Sequence, residues 1–484
     1  MIEISQFDSR PSYGRLALDP RARTHLIAAE DEGAAAVLDV FADATDARPR
    51  TILLYARADE AGAEPAERLS RLDWAAFHPA AGRNELLAGL DGVLATATMG
   101  TRLYVAGSES FIGEVIARAA GFGVVPESVI AEKRGSPARR VQCVHCKHIA
   151  EAVTVSPYTC PGCEQSLLVR DHFSRRLSAF QGVRIDAEVP GDVPRTGAVA
   201  MSGVEIPVRV TEIEQATPTI RRFRLARTDG GTLPPFAAGC HVVVLMPADG
   251  RTIRNAYSLI DRAEDGSSYR IGVLRTEDSR GGSRFMHENV IVGSELRITM
   301  PVNLFPLFLP GRRHLLVAGG IGITPIYAMA EELRRTGADY QIHYAVRGEA
   351  HGAFIAELRA RHGDRLRLYR NDCQEILAMS DILPDQPIGT HLYVCGPAGM
   401  IEAVLEEGAR PAGRRRTCIP SASRHRRPAI PSPSGSPAPG SPARCAATRA
   451  CWRRSRRPAW TRPSSAVAVP AASVKSACAR PTAS

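Results

Sequence analysis

The stretch His314-Leu-Leu-Val-Ala-Gly-Gly-Ile-Gly-Ile-Thr-Pro-Ile-Tyr-Ala-Met329 decides the fold of this chain. Its apolar run Leu315–Ala318 predicts a buried parallel strand. Three glycines then permit a sharp backbone turn (Gly319, Gly320 and Gly322), and Thr324 and Pro325 are typical of a helix start. A strand, a glycine turn and a helix N-terminus present backbone N–H groups and the helix dipole to an anion. The stretch therefore predicts a phosphate-binding turn, although a tight turn without a ligand would use the same glycines.

Two further segments surround this turn in the sequence. Upstream stands Arg254-Asn-Ala-Tyr257-Ser258-Leu, and downstream stands His391-Leu-Tyr-Val-Cys395-Gly396-Pro397-Ala-Gly-Met400. Between them lie Ser279-Arg-Gly-Gly-Ser283 and Pro301-Val-Asn-Leu-Phe-Pro-Leu307. In this order, the segments resemble the ferredoxin–NADP reductase superfamily, and in detail its phthalate dioxygenase reductase branch. The resemblance covers about residues 203 to 408.

The resemblance implies an antiparallel flavin-binding β-barrel over residues 203–307 and a parallel α/β NAD(P)-binding domain over residues 308–408. The residue pattern agrees, because short alternating strands with Gly and Pro turns give way at Leu315 to strand–helix alternation. The resemblance assigns two catalytic residues, Ser258 near the flavin N5 and Cys395 at the nicotinamide. FMN is favoured over FAD, and NADH is not distinguished from NADPH.

The remaining cofactor-binding residues also follow from the resemblance. Arg254 would hold the flavin phosphate, although the family spaces this arginine one residue closer to the tyrosine, and Tyr257 would lie against the flavin ring. The other expected contacts are Gly281, Gly282 and Ser283 to the flavin phosphate, Gly319, Gly320, Gly322, Thr324 and Pro325 to the dinucleotide pyrophosphate, and Gly396 and Pro397 beside Cys395 at the nicotinamide.

Four cysteines form two C-x-x-C turns, Cys143 with Cys146 and Cys160 with Cys163. Two such turns place four thiolates at tetrahedral corners, which predicts a structural zinc site in a zinc-ribbon-like knuckle at 136–180. Iron in a rubredoxin-like site would use the same four ligands.

The N-terminal region, 1–135, predicts another α/β unit. Its segment Arg102-Leu-Tyr-Val-Ala-Gly-Ser repeats the pattern of Leu392-Tyr-Val-Cys-Gly-Pro, but no glycine-rich turn precedes it. We expect a nucleotide-lobe-like docking unit that binds no nucleotide. Together with the knuckle, this region resembles the small subunit of dimethylamine-monooxygenase-type systems, and residues 181–202 are expected to link it to the reductase.

The tail, 409–484, contains no Asp or Glu, whereas sixteen Lys and Arg residues follow Glu407. The net charge of +10 therefore resides in the tail and does not indicate a nucleic-acid-binding core. Its composition predicts disorder. Read in a shifted codon frame, residues Arg444–Val474 permit a helical segment ending in C-R-G-G-A-C-G-Q-C, the C-x4-C-x2-C loop of a plant-type [2Fe–2S] ferredoxin. We therefore interpret the tail as an out-of-frame ferredoxin domain whose fourth cluster cysteine would lie beyond Ser484.

These features predict an α/β plus all-β protein that acts as an NAD(P)H-dependent flavin reductase for an oxygenase component. The alternative is a non-catalytic docking subunit with a crippled reductase. No apolar run long enough for a membrane helix occurs, the N-terminus shows no basic apolar leader, and the eleven cysteines suit a reducing cytoplasm. Nucleic acid is not expected as a partner, because no basic and aromatic residues interleave around the knuckle and the basic tail is interpreted as out of frame.

Overall fold

The structure is a computed structural model, and it describes residues 11–57, 63–184, 205–248, 251–276, 281–409 and 466–470. No helix within these ranges has the length and apolarity needed to cross a membrane. Residues 181–184, predicted as the start of the linker, instead end the strand Ala179–Arg184, because they pair with residues 167–170. The remaining residues of the predicted linker and most of the predicted out-of-frame tail lie outside the described residues.

The N-terminal unit is a five-stranded parallel sheet with helices on both faces. Its strands are β1 (Thr24–Glu30), β2 (Thr51–Ala56), β3 (Ala76–Ala80), β4 (Thr101–Gly107) and β5 (Ile130–Lys133), and its helices are α1 (Gly33–Phe41), α2 (Ala63–Ser70), α3 (Arg83–Thr96) and α4 (Glu109–Gly121). The strand order is β3-β2-β1-β4-β5, so β1 and β4 meet where the winding direction reverses. Separate hydrophobic clusters fill the two faces of the sheet.

The knuckle is a second five-stranded sheet built from β6 (Arg139–Cys143), β7 (Ile149–Val153), β8 (Tyr158–Thr159), β9 (Ser166–Ser174) and β10 (Ala179–Arg184). Its order is β7-β6-β10-β9-β8, and only β6 and β10 pair in parallel. Each C-x-x-C turn lies at the end of a strand in this sheet.

The third region is a closed antiparallel barrel. It comprises β11 (Glu205–Thr217), β12 (Ile220–Arg227), β13 (Cys240–Ala248), β14 (Arg251–Arg262), β15 (Ser268–Leu274), helix α5 (Gly282–Glu288), β16 (Glu295–Thr299) and the short β17 (Val302–Asn303). The order β14-β15-β12-β11-β16-β13 closes because β13 also pairs with β14. Alternate side chains along these strands fill the barrel interior with one apolar cluster.

The fourth region is a parallel sheet of β18 (Arg313–Gly319), β19 (Tyr340–Val346), β20 (Leu366–Arg370) and β21 (Thr390–Cys395), with helices α6 (Ile323–Thr336), α7 (Ile355–His362), α8 (Met379–Ile382) and α9 (Ala398–Ala409). We call it the nicotinamide lobe, after its predicted role. The described tail segment, β22 (Ala466–Pro470), pairs antiparallel with β21 at the sheet edge. The predicted α/β plus all-β class and the strand–helix alternation from Leu315 are confirmed.

The barrel and the nicotinamide lobe share a hydrophobic core. Ile220 and Ile260 from the barrel strands, and Phe305 from the segment after β17, are buried in the same cluster as the lobe residues of α6 and β18. Apolar side chains buried across a domain boundary resist relative motion because separating the domains would expose them to water. The cluster therefore holds β14 beside the start of α6.

Candidate functional site

The glycine turn at the end of β18 packs directly against the segment that follows β21. A Cβ on Gly322 would lie 2.1 Å from the carbonyl oxygen of Cys395, and a Cβ on Gly319 would lie 2.8 Å from Cδ of Pro397. Only glycine permits such an approach of two backbones. The structure thus brings together two of the predicted motifs, which are separated by about seventy residues in the sequence.

The outer side of the same turn is open. Gly320 has φ of +54°, and no described atom lies within 4 Å of the position that a Cβ on it would occupy. The Tyr344 hydroxyl donates to the Gly320 carbonyl at 3.1 Å and the buried Thr324 hydroxyl donates to the Ile321 carbonyl at 3.1 Å. The turn is therefore held rigidly, and helix α6 starts from it with Pro325 in its first turn. A phosphate group fits this arrangement of free space, backbone and helix start.

Cys395 ends β21 and is buried. Burial raises the pKa of its thiol to about 12, so the thiol stays protonated at neutral pH. The side chain can therefore serve as a compact neutral group beside a nicotinamide ring, but it cannot act as a thiolate nucleophile.

Strand β14 carries Tyr257 and Ser258 to the boundary between barrel and lobe. Both residues are half-buried, and burial raises the pKa of Tyr257 to about 12. Two residues further on, Ile260 is buried in the core shared with the nicotinamide lobe. A register shift between Leu259 and Asp261 interrupts the regular alternation of side chains beside Ile260. Ser258 therefore lies two residues from a side chain that packs in the core shared with the lobe, at the boundary that a nicotinamide bound at the glycine turn would approach.

Arg254 lies on the opposite face of β14 from Tyr257, since the two residues are three apart. Its guanidinium is largely exposed and pairs with Glu205 at 3.4 Å, and Arg297 pairs with the same carboxylate at 3.0 Å. Its role as a flavin-phosphate ligand remains a prediction, in which Arg254 would exchange Glu205 for the phosphate.

Asn255 occupies the position two residues before Tyr257, which the reductase family fills with arginine. Its amide donates to the Tyr257 hydroxyl at 3.3 Å, and a Cβ on Gly282 would lie 2.4 Å from its amide nitrogen. Asn255 therefore connects β14 to the turn that starts α5. Sequence analysis did not assign this residue, and the one-residue offset of Arg254 was the signal that could have identified it.

The Gly281–Ser283 turn approaches the same strand. Gly281 has φ of +105°, and the buried Ser283 hydroxyl lies 3.2 Å from the hydroxyl of Thr276. A Cβ on Gly281 would lie 3.0 Å from Cδ1 of Ile253, so the turn packs closely against β14. Its role as a flavin-phosphate site stays a prediction.

A charged cluster that sequence analysis missed connects the barrel to the lobe. Glu357 of α7 accepts hydrogen bonds from Arg222 of β12, from Arg270 of β15 at 3.1 Å and from the Tyr327 hydroxyl of α6 at 3.2 Å. The Arg222 and Arg270 guanidinium groups also lie over the Phe354 ring. We call these residues the Glu357 cluster. It involves two barrel strands and two lobe helices, so it constrains the angle between the domains.

The four predicted metal ligands converge. The four Sγ atoms of Cys143, Cys146, Cys160 and Cys163 lie within 4.8 Å of one another, and the Cys143–Cys163 and Cys146–Cys160 pairs are each separated by 3.7 Å. Four thiolates at ~2.3 Å from a tetrahedral metal would be ~3.8 Å apart. The donor set therefore fits Zn²⁺, and it fits iron equally well.

The backbone of the first C-x-x-C turn, Cys143 to Cys146, favours the thiolate form of Cys143. Burial raises the pKa of Cys143, but the backbone N–H groups of Cys146 and His145 and the neighbouring thiols outweigh it, and the pKa falls to about 7. The two turns have matching geometry, because the residue after each second cysteine, Lys147 and Glu164, has positive φ and donates its N–H to the carbonyl of the first cysteine. His145 and His148 lie near the cluster but are not among its ligands.

The first four strands of the N-terminal unit repeat the four parallel strands of the nicotinamide lobe in the same order. In the pairing of β1 with β4, Leu26 lies opposite Leu103, and in the pairing of β18 with β21, Leu315 lies opposite Leu392. The sequences His25-Leu-Ile-Ala-Ala-Glu-Asp-Glu-Gly33 and His314-Leu-Leu-Val-Ala-Gly-Gly-Ile-Gly322 align without a gap at a constant shift of 289 positions (314 − 25).

The glycine turn also has a counterpart in the N-terminal unit, at Glu30–Gly33. Asp31 has φ of +43° and Gly320 has φ of +54°, and the Tyr55 hydroxyl donates to the Asp31 carbonyl as that of Tyr344 does to Gly320. A turn of this kind was expected to be missing from the N-terminal unit, because sequence analysis sought glycines. Its backbone is present, but acidic residues replace two of the glycines.

The Glu30 carboxylate occupies the place where an anion would bind. Arg83 donates to its two oxygens at 3.0 and 2.9 Å, and Ser108 donates its hydroxyl at 2.6 Å and its backbone N–H at 3.2 Å. These are the donors that usually hold a phosphate. An internal carboxylate satisfies them in this unit. That the unit binds no nucleotide stays a prediction.

Comparison with known proteins supports both resemblances. The family model for the N-terminal domain of dimethylamine monooxygenase subunit DmmA-like proteins matches residues 5–129 and 306–415, and the model for their C-terminal domain matches residues 140–183. The first match covers both copies of the repeated lobe. The chain thus contains DmmA-like sequence in its N-terminal unit, in the knuckle and in the nicotinamide lobe.

Two curated relatives are a monooxygenase reductase subunit and an oxidative demethylase subunit. The chain is 42% identical over 200 residues to the carnitine monooxygenase reductase subunit of Acinetobacter baumannii, covering 41% of this chain and 62% of that protein. It is 43% identical over 202 residues to the heme-dependent oxidative N-demethylase beta subunit of Ectopseudomonas mendocina, covering 42% and 64%. The chain therefore spans less than two thirds of the length of these relatives. Among solved structures, phthalate dioxygenase reductase is 29% identical with a TM-score of 0.40, covering 43% of this chain and 66% of that one.

Proposed function

We propose that the barrel and the nicotinamide lobe form an NAD(P)H-dependent flavin reductase that supplies electrons to an oxygenase component. The observation that carries this proposal is the convergence of the glycine turn, Cys395 and the Tyr257–Ser258 segment at one domain boundary held by a shared core. The similarity to a carnitine monooxygenase reductase subunit supports the same activity.

The chain's own residues would bind and orient the two cofactors. Tyr257 would offer its ring to the flavin, with FMN favoured over FAD, and the Gly281–Ser283 turn would donate to the flavin phosphate. The glycine turn and α6 would hold the dinucleotide pyrophosphate, while Cys395 and Pro397 would limit water at the nicotinamide. The bound cofactors supply hydride and electron transfer, and the protein supplies their alignment.

We further propose that the knuckle holds zinc as a structural ion. With four thiolates closing the coordination sphere, no position remains for substrate, so the metal would stabilise the sheet of β6–β10 rather than react. In the frame-corrected gene, the ferredoxin loop permitted by the tail codons would carry a [2Fe–2S] cluster between flavin and oxygenase.

The decisive experiment is NADH and NADPH oxidation by the purified full chain with ferricyanide as acceptor, after reconstitution with FMN or FAD. A flavoprotein that reduces ferricyanide is the expected result. Folded protein that neither binds flavin nor reduces ferricyanide would favour the alternative of a non-catalytic docking subunit.

A further inference from the structure

The N-terminal unit contacts the nicotinamide lobe through equivalent loops of the two repeated lobes. Thr98 forms an isolated antiparallel bridge with Pro387. The Met99 N–H donates to the Gln386 carbonyl at 2.6 Å, and the Ile388 N–H donates to the Ala97 carbonyl at 2.8 Å.

The same shift of 289 positions relates the partners in this contact. Thr98 corresponds to Pro387, Met99 to Ile388 and Ala97 to Gln386, so each lobe gives and receives the same hydrogen bond. Gly100 and Gly389 both have positive φ, and Arg23 and Arg312 donate their N–H groups to these two carbonyls at 2.9 and 3.0 Å. A contact in which residue i meets j while j meets i is the signature of a two-fold subunit interface. Here the same pattern occurs within one chain.

Other contacts at this interface are not symmetric, and they are specific for the N-terminal unit. His391 is buried and donates its Nε2–H to the Gly123 carbonyl at 2.9 Å, whereas its counterpart Arg102 pairs with Asp19 inside its own lobe. Ile388 is buried in the core cluster of the N-terminal unit. A second nicotinamide lobe, lacking these partners, would leave the His391 donor unsatisfied, which costs free energy when it is buried.

The docked face lies at the start of β18 and β21, and the glycine turn lies at their other end. Strands of this length separate the two ends by roughly 20 Å, at about 3.3 Å per residue. Docking of the N-terminal unit therefore leaves the proposed dinucleotide site open.

We propose that this contact is a subunit interface retained within a fused chain. The loop Gln386–Gly389 with His391 is a docking surface for a DmmA-like lobe, and the two halves of this chain would remain associated without their covalent connection. In the intact chain, the linker raises the effective concentration of one half for the other to about millimolar, so even a micromolar interface would stay closed. The proposal does not depend on the reductase activity.

The test uses the full chain with a protease site inserted between Arg184 and Glu205. After cleavage, analytical ultracentrifugation at micromolar concentration should show one particle containing both fragments. Two separate particles in the otherwise unmodified protein would overturn the proposal.

A matched pair of variants tests the surface. A Cβ on Gly389 would lie 1.9 Å from the Phe122 carbonyl oxygen, whereas a Cβ on Gly337 of the same lobe, at a similar positive φ, meets no described atom within 4 Å. After cleavage, Gly389→Ala should separate the fragments and Gly337→Ala should not. If circular dichroism shows that Gly389→Ala impairs folding, the variant His391→Phe is used instead. It removes the hydrogen-bond donor to the Gly123 carbonyl. Fragments that stay equally associated in the variants would refute this assignment of the surface.

Discussion

Replacing Glu357 by Gln should loosen the boundary between the barrel and the nicotinamide lobe. The carboxylate lies between Arg222, Arg270 and the Tyr327 hydroxyl, so three elements of the structure depend on one charged group. Glutamine has nearly the same size, but it offers one acceptor oxygen in place of two and no charge. The substitution therefore removes electrostatic attraction without creating a cavity.

The expected cost follows from the exposure of the partners. The side chains of Arg222, Arg270 and Glu357 are 12%, 14% and 30% exposed, so the pairs are neither fully buried nor fully hydrated. Removing one partner of a buried pair costs about 3–5 kcal/mol, and a surface pair contributes about 0–1 kcal/mol. Arg222 keeps Glu214 and Arg270 keeps Asp261, which reduces the loss. We expect the free energy of unfolding to fall by about 1–3 kcal/mol.

The stability that Glu357 contributes should depend on pH, and the direction follows from the pKa of its carboxyl group. Burial opposes ionisation of Glu357, but Arg222 and Arg270 outweigh it and hold the pKa of this carboxyl below its ordinary value of 4.5. A lowered folded-state pKa contributes stability that is present above the unfolded pKa and is lost as pH falls through the folded value. The difference in unfolding free energy between wild type and Glu357→Gln should therefore be complete near neutral pH and decrease below pH 4.5.

Urea unfolding of the flavin-loaded protein measures the stability, and stopped-flow flavin reduction measures the alignment of the domains. Glu295→Gln is the control, because its pair with Arg209 is exposed on both sides. We expect slower flavin reduction and a lower unfolding free energy in Glu357→Gln only. Equal effects in both variants, or none in either, would refute the assigned role of the Glu357 cluster.

Four further outcomes are expected. Tyr257→Ala should weaken flavin binding at least tenfold by fluorescence titration, because it removes the stacking face, and unchanged affinity would count against the flavin site. Gly322→Ala should abolish NAD(P)H oxidation while the flavin stays bound, since its Cβ would lie 2.1 Å from the Cys395 carbonyl oxygen; an active variant would contradict the dinucleotide site. Elemental analysis should find one zinc per chain, and Cys160→Ser should lose it together with the local order of β6–β10; iron or no metal in folded protein would exclude zinc. Restoring the reading frame near codon 410 and extending the chain should add [2Fe–2S] absorbance and electron transfer to the oxygenase, and DNA sequencing that supports the present frame would exclude the frameshift.

Local pattern was sufficient for much of the architecture. The run Leu315–Ala318 lies inside β18, and the four cysteines converge as their spacing predicts. These predictions hold because strand burial, helix periodicity and C-x-x-C geometry depend on residues close together in the chain.

Relations between distant segments could not be predicted in this way. In the Glu357 cluster, Arg222 and Arg270 are each more than eighty positions from Glu357 in the sequence, and neither arginine lies in a recognisable motif. Arg254 stands in the predicted motif, but its register on β14 places Asn255, rather than Arg254, on the face of Tyr257. A one-residue offset reverses the face of a strand, and only pairing with neighbouring strands shows which residue faces inward.

The sequence by itself predicted the fold class, the strand–helix alternation from Leu315 and the grouping of the four cysteines, because each depends on local periodicity or spacing. Only the tertiary structure revealed that Glu30 occupies an anion position and that Ala97–Gly100 meets Gln386–Gly389 as an equivalent loop. The physical reason is that both features join segments that are far apart in the sequence. The Arg83 and Ser108 side chains reach Glu30 only in the folded sheet. The two loops meet through backbone hydrogen bonds, which do not depend on side-chain identity.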